Sequence, residues 1–180
     1  MTTLPTIDIR PLQVGHAEAL LQLRLTNRDY MQIYDPIRPD HYWTLPTQRE
    51  LLEQSEHQMQ NGNGYVFGMF RQDTEQLVGR IELSGVARGP FQNASVGYFV
   101  DREHHGYGYA TTALRWVIAY AFQEAGLHRI QAGVMPWNKP SQRVLEKASF
   151  RQEGLAERYL CINGKWEDHL LYAITAEEWS

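Results

Sequence analysis

The residues best placed to do chemistry lie in His105-Gly106-Tyr107-Gly108-Tyr109-Ala110-Thr111. Gly106 and Gly108 stand between an apolar, β-branched run, Ala94 to Val100, and a run in which Ala110, Ala113, Leu114, Val117, Ile118, Ala121, Phe122 and Ala125 share one helical face. Strand, glycine loop and helix in that order can hold an anion. Glycine takes positive φ without penalty and lets a ligand approach the backbone, while the orphan N–H groups and positive dipole end of the helix favour negative charge. A diphosphate is the natural guest, although the same glycines would also serve a tight turn. Two rival phosphate loops are missing: no Gly-Lys-Ser/Thr opens the helix, and no dinucleotide fingerprint follows the first strand.

Other reactive side chains read more plainly. Asn138 and Ser141 have the spacing of a helix cap and the third residue after it, a purely structural pairing on spacing alone. Glu82 falls on a strand and reads as an exposed strand carboxylate. His104, His105 and His128 lack the spacing and partners of a zinc site, so no metal is expected. Cys161 has no nucleophile signature and reads as a small buried hydrophobe. One of Tyr107 and Tyr109 should pack beside the helix, and Trp166, Trp179 and the strand of Tyr172 should close the sheet.

The 180 residues, 43% hydrophobic and 12% aromatic, suffice for one domain with a sizeable core, spanning 1–180. A net charge of −4 gives no basic footprint for direct nucleic-acid binding. The single cysteine excludes an internal disulfide and fits a reducing compartment. No apolar run approaches the roughly 18 residues of a membrane span, and no secretory leader pattern is present, so the expected location is cytoplasmic.

These residues need elements to position them. A first strand is expected at Ile7 to Arg10, then a helix carrying Ala17, Leu20, Leu21, Leu23 and Leu25 toward Asn27. Pro36, Pro39 and Pro46 make Asp35 to Pro46 an ordered surface loop. Thr47, with Glu50 three residues on, should cap a second helix that stops before Asn61-Gly62-Asn63-Gly64. Tyr65 to Arg71 and Leu77 to Ser84 read as a hairpin, with Ser84 through Asn93 a polar connection. After the long helix come a strand from His128 to Met135, a short helix from Lys139 to Lys147, and two strands joined at Asn163-Gly164. The pattern is mixed α and β with hairpins flanking a central crossover.

The glycine segment resembles the acyl-CoA motif of the GNAT acetyltransferases, Gln/Arg-x-x-Gly-x-Gly/Ala, with His105 in the Gln/Arg position. Leu127 to Ile130, Met135-Pro136-Trp137-Asn138-Lys139-Pro140-Ser141 and Phe150 to Gly154 are similar to segments of the RimJ/RimL branch, whose members acetylate protein N-termini. Tyr159 to His169, Val86 to Phe91 and Asn27-Arg28 resemble its RimJ side. A glutamate that handles the substrate amine on the RimL side would fall at Leu160. The resemblance spans nearly the whole chain and implies an α+β fold, with a mixed, mostly antiparallel sheet of six to seven strands flanked by about four helices.

It also implies roles. His105, Gly106, Tyr107, Gly108, Tyr109, Ala110 and Thr111 would cradle the pyrophosphate of acetyl-CoA, and backbone groups at Phe99 and Val100 would meet the pantetheine arm. Asn138 would line the coenzyme channel and Ser141 would be the general acid at the sulfur. Asn27, Arg28, Tyr34, Arg88 and Phe91 would wall the acceptor cleft. Direct attack in a ternary complex needs a neutral amine, a stabilised oxyanion and a proton for the thiolate. A protein α-amine, with a pKa of about 7.7 to 8.0 against about 10.4 for lysine, needs little help from a base. The expected acceptor is therefore a protein N-terminus, such as that of a ribosomal protein. A small amine (amino acid, polyamine or antibiotic) is the alternative acceptor, and a non-catalytic acyl-CoA-binding module is the alternative role. The branch leaves room for a homodimer.

Overall fold

A computed structural model describes residues 6–179. The elements run β1 (Ile7–Pro11), α1 (Ala17–Thr26), α2 (Arg28–Met31), α3 (Leu45–Gln60), β2 (Tyr65–Arg71), β3 (Leu77–Ala87), β4 (Asn93–Val100), α4 (Tyr109–Gln123), β5 (Arg129–Val134), α5 (Lys139–Lys147), β6 (Arg151–Ile162) and β7 (Lys165–Thr175). The strands form a 7-stranded sheet in the order β1-β2-β3-β4-β5-β7-β6. Every neighbouring pair is antiparallel except β4 and β5.

Both faces of the sheet are covered. On one, α4 buries Ala113, Leu114, Val117, Ile118 and Ala121 against Phe67, Ile81, Ala94 and Ile130. On the other, Ala17, Leu20 and Leu23 of α1 and Leu52 of α3 pack with Val66, Phe70 and Leu77. The period of α1 thus serves a narrower stripe than its leucines suggest, and Leu25 stays exposed.

The feature that matters most is a failure of pairing. Strands β4 and β5 are in register only over Asn93↔Arg129, Ala94↔Ile130 and Ser95↔Gln131, and then part. From Val96 onward, the backbone edge of β4 that faces away from β3 has no strand beside it. Backbone donors and acceptors there must find another partner, and a ligand can supply it.

Four local expectations are corrected. Helix α3 begins before Pro46, whose fixed φ and missing N–H suit a first turn, so Thr44 and not Thr47 is the cap residue. The Thr44 hydroxyl donates to the carbonyl of His41 at 2.7 Å. Strand β3 runs on through Ala87, with an irregularity in its pairing to β4 between Ser84 and Ala87. Cys161 is exposed, because β6 is an edge strand with little packed on it. Trp166, opposite Cys161 in the register, is 61% exposed and closes nothing, whereas Trp179 packs on Phe122 and Tyr172 is buried. The described residues form seven strands and five helices, one of them the single turn α2, in keeping with the six to seven strands and about four helices expected.

Candidate active site

The strand–loop–helix junction has the geometry of an anion cradle. Gly106 and Gly108 have φ of +83° and +78°, and nothing lies within 4 Å of where a Cβ would stand on either. Gly108 is the left-handed residue on which α4 starts, and no side chain caps that end. The positive end of the α4 dipole therefore points at whatever the glycine loop holds. The loop is braced from below. Buried Asp101 accepts from the Glu103 N–H and lies 3.2 Å from the His104 ring nitrogen, while His104 stacks on Tyr109. Tyr109 is the packed tyrosine and Tyr107 the exposed one. His105 turns inward, its Nε2 donating to the carbonyl of Val100 at 3.0 Å.

A cavity of about 400 Å³ runs from this loop along the open edge of β4. Val100, His105, Gly106, Gly108, Ala110 and Thr111 line one end, and Phe99, Asn138 and Ser141 the other. Asn138 does cap α5, accepting from the Ser141 N–H at 3.4 Å, so its capping role and its place on the cavity wall coexist. The Ser141 hydroxyl lies 3.0 Å from that of Tyr98. Burial pushes the Tyr98 phenol up to about 12, against a smaller downward pull from Ser141. It remains a proton donor throughout the neutral range.

A second cavity, about 280 Å³, is lined by α1, α2, the proline-rich loop, β3, β4, β5, α5, β6 and β7. Met31, Tyr34, Tyr98, Phe99, Asn138 and Ser141 line both cavities. The two cavities meet at Ser141 and Tyr98, in the gap that β4 and β5 leave between them.

Two ionisable groups, Glu82 of β3 and His169 of β7, line the second cavity. Glu82, opposite Gly97 in the register, comes within 3.8 Å of where a Cβ on Gly97 would be. Burial pushes its carboxyl up, but the Arg80 guanidinium, 2.7 Å away, together with Arg24 and Arg38, outweighs that and holds it below the ordinary range. The expected exposed strand carboxylate is instead a half-buried, ionised group on the cavity wall. His169 lies over Gly133 on the β5 side of the split, with its Cδ2 3.5 Å from the site of a Cβ. Its Nδ1 donates to the carbonyl of Glu167 at 2.9 Å, which in the neutral ring puts the lone pair on Nε2.

The sequence profile of the Acetyltransferase (GNAT) domain matches residues 7–151. The chain belongs to the GNAT acetyltransferase family. It is 45% identical over 169 residues to a probable N-acetyltransferase, YjcK, of Bacillus subtilis, covering 94% of this chain and 93% of that one. The [Ribosomal protein uS5]-alanine N-acetyltransferase of Escherichia coli is 34% identical over 155 residues, 86% of this chain and 79% of its own. The structure of Mycobacterium smegmatis RimJ in complex with CoA-disulfide superposes with a TM-score of 0.91 at 31% identity, covering 98% of this chain and 85% of that one. The protein is thus an acetyl-CoA-dependent N-acetyltransferase of the RimJ/RimL-like branch. No helix among the described residues is long and apolar enough to cross a membrane.

In this GNAT acetyltransferase the sequence-derived residues divide into three groups. Those assigned to the donor line the first cavity, except Tyr107. Asn27, Arg28 and Tyr34 line the second. Asn27 is also a buried brace: its Nδ2 donates to the Leu23 carbonyl at 2.9 Å and to Asp101 at 3.2 Å, and its Oδ1 accepts from the Arg102 N–H at 2.9 Å. Arg88 and Phe91 line neither cavity. The β3–β4 hairpin lies at the closed end of the split, where Arg88 donates to the carbonyls of Ala125 and Gly62 and to the Tyr65 hydroxyl. Phe91 is simply exposed there. Leu160 lines the second cavity as an apolar residue. Tyr98 and His169 were missed. Tyr98 sits in an ordinary strand run and reveals itself only by what α5 brings to it; the partial signal for His169 was its place in the segment resembling RimJ.

Proposed function

We propose that this enzyme acetylates the N-terminal α-amine of a protein, with a ribosomal protein as the substrate class that its relatives suggest. The observation carrying the reading is the junction of two cavities at Ser141 and Tyr98, one shaped for a coenzyme and the other open to a polypeptide end. Acetyl-CoA supplies an acyl group activated as a thioester. The left-handed glycines and the open end of α4 hold its diphosphate, and the unpaired edge of β4 binds the pantetheine arm and polarises the carbonyl oxygen. With Tyr98 as the donor in its 3.0 Å contact with the Ser141 hydroxyl, the serine proton is free for the departing sulfur. A serine is a weak acid, but a thiolate with a conjugate pKa near 8.5 needs only a well-placed hydrogen bond or a relayed proton.

On the acceptor side, Glu82 draws in and orients the amine, and the lone pair of His169 Nε2 offers a second proton acceptor. An α-amine with a pKa of about 7.7 to 8.0 is partly neutral at pH 7, so neither group has to be a strong base. The experiment is thiol release from acetyl-CoA with a panel of N-terminal peptides, free amino acids, polyamines and aminoglycosides. Turnover with peptides alone is the expected result. Turnover with small amines alone moves the enzyme to that acceptor class, and tight acetyl-CoA binding without any turnover makes it a binding module.

A further inference from the structure

The acceptor cavity is positively charged in a chain whose net charge is −4. Arg24, Arg28, Arg38 and Arg80 line it against the carboxylates of Asp35 and Glu82. The four guanidinium groups are not equally occupied. Arg80 is paired with Glu82, and Arg24 donates to Oε1 of Gln48 at 2.8 Å. Arg28 and Arg38, both exposed at the mouth, touch no carboxylate among the described residues. Each instead lies over an aromatic ring of the proline-rich loop, Arg28 4.3 Å from the centroid of Trp43 and Arg38 5.0 Å from that of Tyr42. Those two rings pack edge to face with centroids 5.1 Å apart, so one aromatic pair carries both cations, and Arg24 lies over Tyr42 as well, at 5.0 Å.

Stacking uses the face of a guanidinium and leaves its in-plane N–H fork free, which is the geometry that receives a carboxylate in bidentate fashion. The deeper arginines show that the charge is not otherwise balanced. Arg24 is pulled down to about 10, first by burial and then by the repulsion of Arg80, with Arg38 adding to it and Tyr42 and Glu82 opposing. Among the described residues Asp35 is one of only two carboxylates lining the cavity, its carboxyl pushed up by burial against the pull of Arg38, Arg24 and Arg80. A polycationic acceptor would meet repulsion throughout this cavity.

We infer that the acceptor carries a carboxylate close behind its amine, received by Arg28 and Arg38 while Glu82 faces the amine. In a peptide this is an acidic side chain at the second or third position. The assignment rests on the proposed N-terminal reading for its peptide form. The α-carboxylate of a free amino acid offers the same chemistry, but it sits one bond from the amine-bearing carbon, whereas these two arginines stand at the mouth.

The test compares kcat/KM for hexapeptides that begin Ala-Glu, Ala-Gln and Ala-Lys, with the same set shifted to position three, beside free aspartate and alanine. The expected order is acidic over neutral by about tenfold and neutral over basic, in line with a charge-assisted bidentate contact. In the double variant Arg28→Gln with Arg38→Gln the acidic preference should fall to near one. Acetyl-CoA, held in the other cavity, should bind the double variant with an unchanged Kd, which shows that the variant is folded. Equal rates for all three peptides in the unaltered enzyme overturn the inference and leave N-terminal acetylation standing. Turnover of free aspartate alone, lost in the double variant, keeps the anion site and overturns the peptide reading. A charge preference that survives the double variant overturns the assignment to these arginines.

Discussion

The two halves of the active site are built from different materials. The donor half is mostly backbone: the open edge of β4, two left-handed glycines and the bare end of α4, contiguous in the chain from Phe99 to Thr111. The acceptor half is side chains, with α1, α2, the proline-rich loop, β3 and β7 contributing separate pieces. A backbone cradle binds what every member of the family must bind and tolerates changes of side chain, as His105 illustrates. A wall of side chains can be rewritten piece by piece. The donor is therefore common to the family, while on the proposed reading the acceptor is set by residues such as Arg28, Arg38 and Leu160.

The strongest challenge to this contrast falls where the halves meet. Ser141→Ala should lower kcat by about 10²-fold, the range for a general acid, while the KM for acetyl-CoA stays within about twofold. Tyr98→Phe should lower kcat less, since it removes the partner of the serine and not the group that meets the sulfur. Steady-state kinetics with the best peptide of the panel measures both. A serine variant with unchanged kcat would remove Ser141 from the mechanism and leave it as a residue of the α5 cap.

The next effect belongs to the donor half alone. Gly108→Ala places a side chain at φ +78°, a strain of about 1 kcal/mol for an L-residue, and puts a methyl group where the backbone should meet phosphate. The KM for acetyl-CoA should rise about tenfold with kcat nearly constant, as expected when binding shared by ground and transition states is lost. A fall in kcat with unchanged KM would mean that the loop positions the thioester and does not grip the phosphates.

The same division explains what could be read from the sequence. The strand, glycines and helix of the donor half announce themselves because periodicity and φ preference are local properties. Helix α5 was bounded correctly because Asn138 and Pro140 mark its start. The acceptor half depends on which distant segments meet, and no local rule reveals that Glu82 covers Gly97 or that His169 covers Gly133. Arg88 shows the opposite error. The resemblance of Val86 to Phe91 to the RimJ side put Arg88 in the cleft wall, yet its guanidinium closes the far end of the sheet on carbonyls of Gly62 and Ala125. Arg88→Ala should cost about 1 kcal/mol and lower the melting temperature by roughly 2–4 °C, with kcat/KM unaltered. Thermal unfolding and kinetics on the same preparation would show whether Arg88 belongs to either half.

The smallest expected effect is an absence, and it tests whether the acceptor half does acid–base work. The Glu82 carboxyl is held below its ordinary value, so it is ionised at neutral pH and loses its charge only as pH falls through that depressed pKa. Tyr98, raised to about 12, keeps its proton until pH rises through that value. Neither group changes charge between about pH 6 and 10, where an N-terminal amine of pKa about 7.7 to 8.0 does. The rate with a peptide should therefore climb with pH along the titration of the peptide's own amine and then level off. A peptide whose α-amine is about one unit less basic should move that limb down by about one unit, and Glu82→Gln should leave its position unchanged while lowering its height. A limb that ignores the peptide and vanishes in His169→Gln would instead give the proton to the imidazole. The acceptor wall would then be a catalytic surface as well as a selective one.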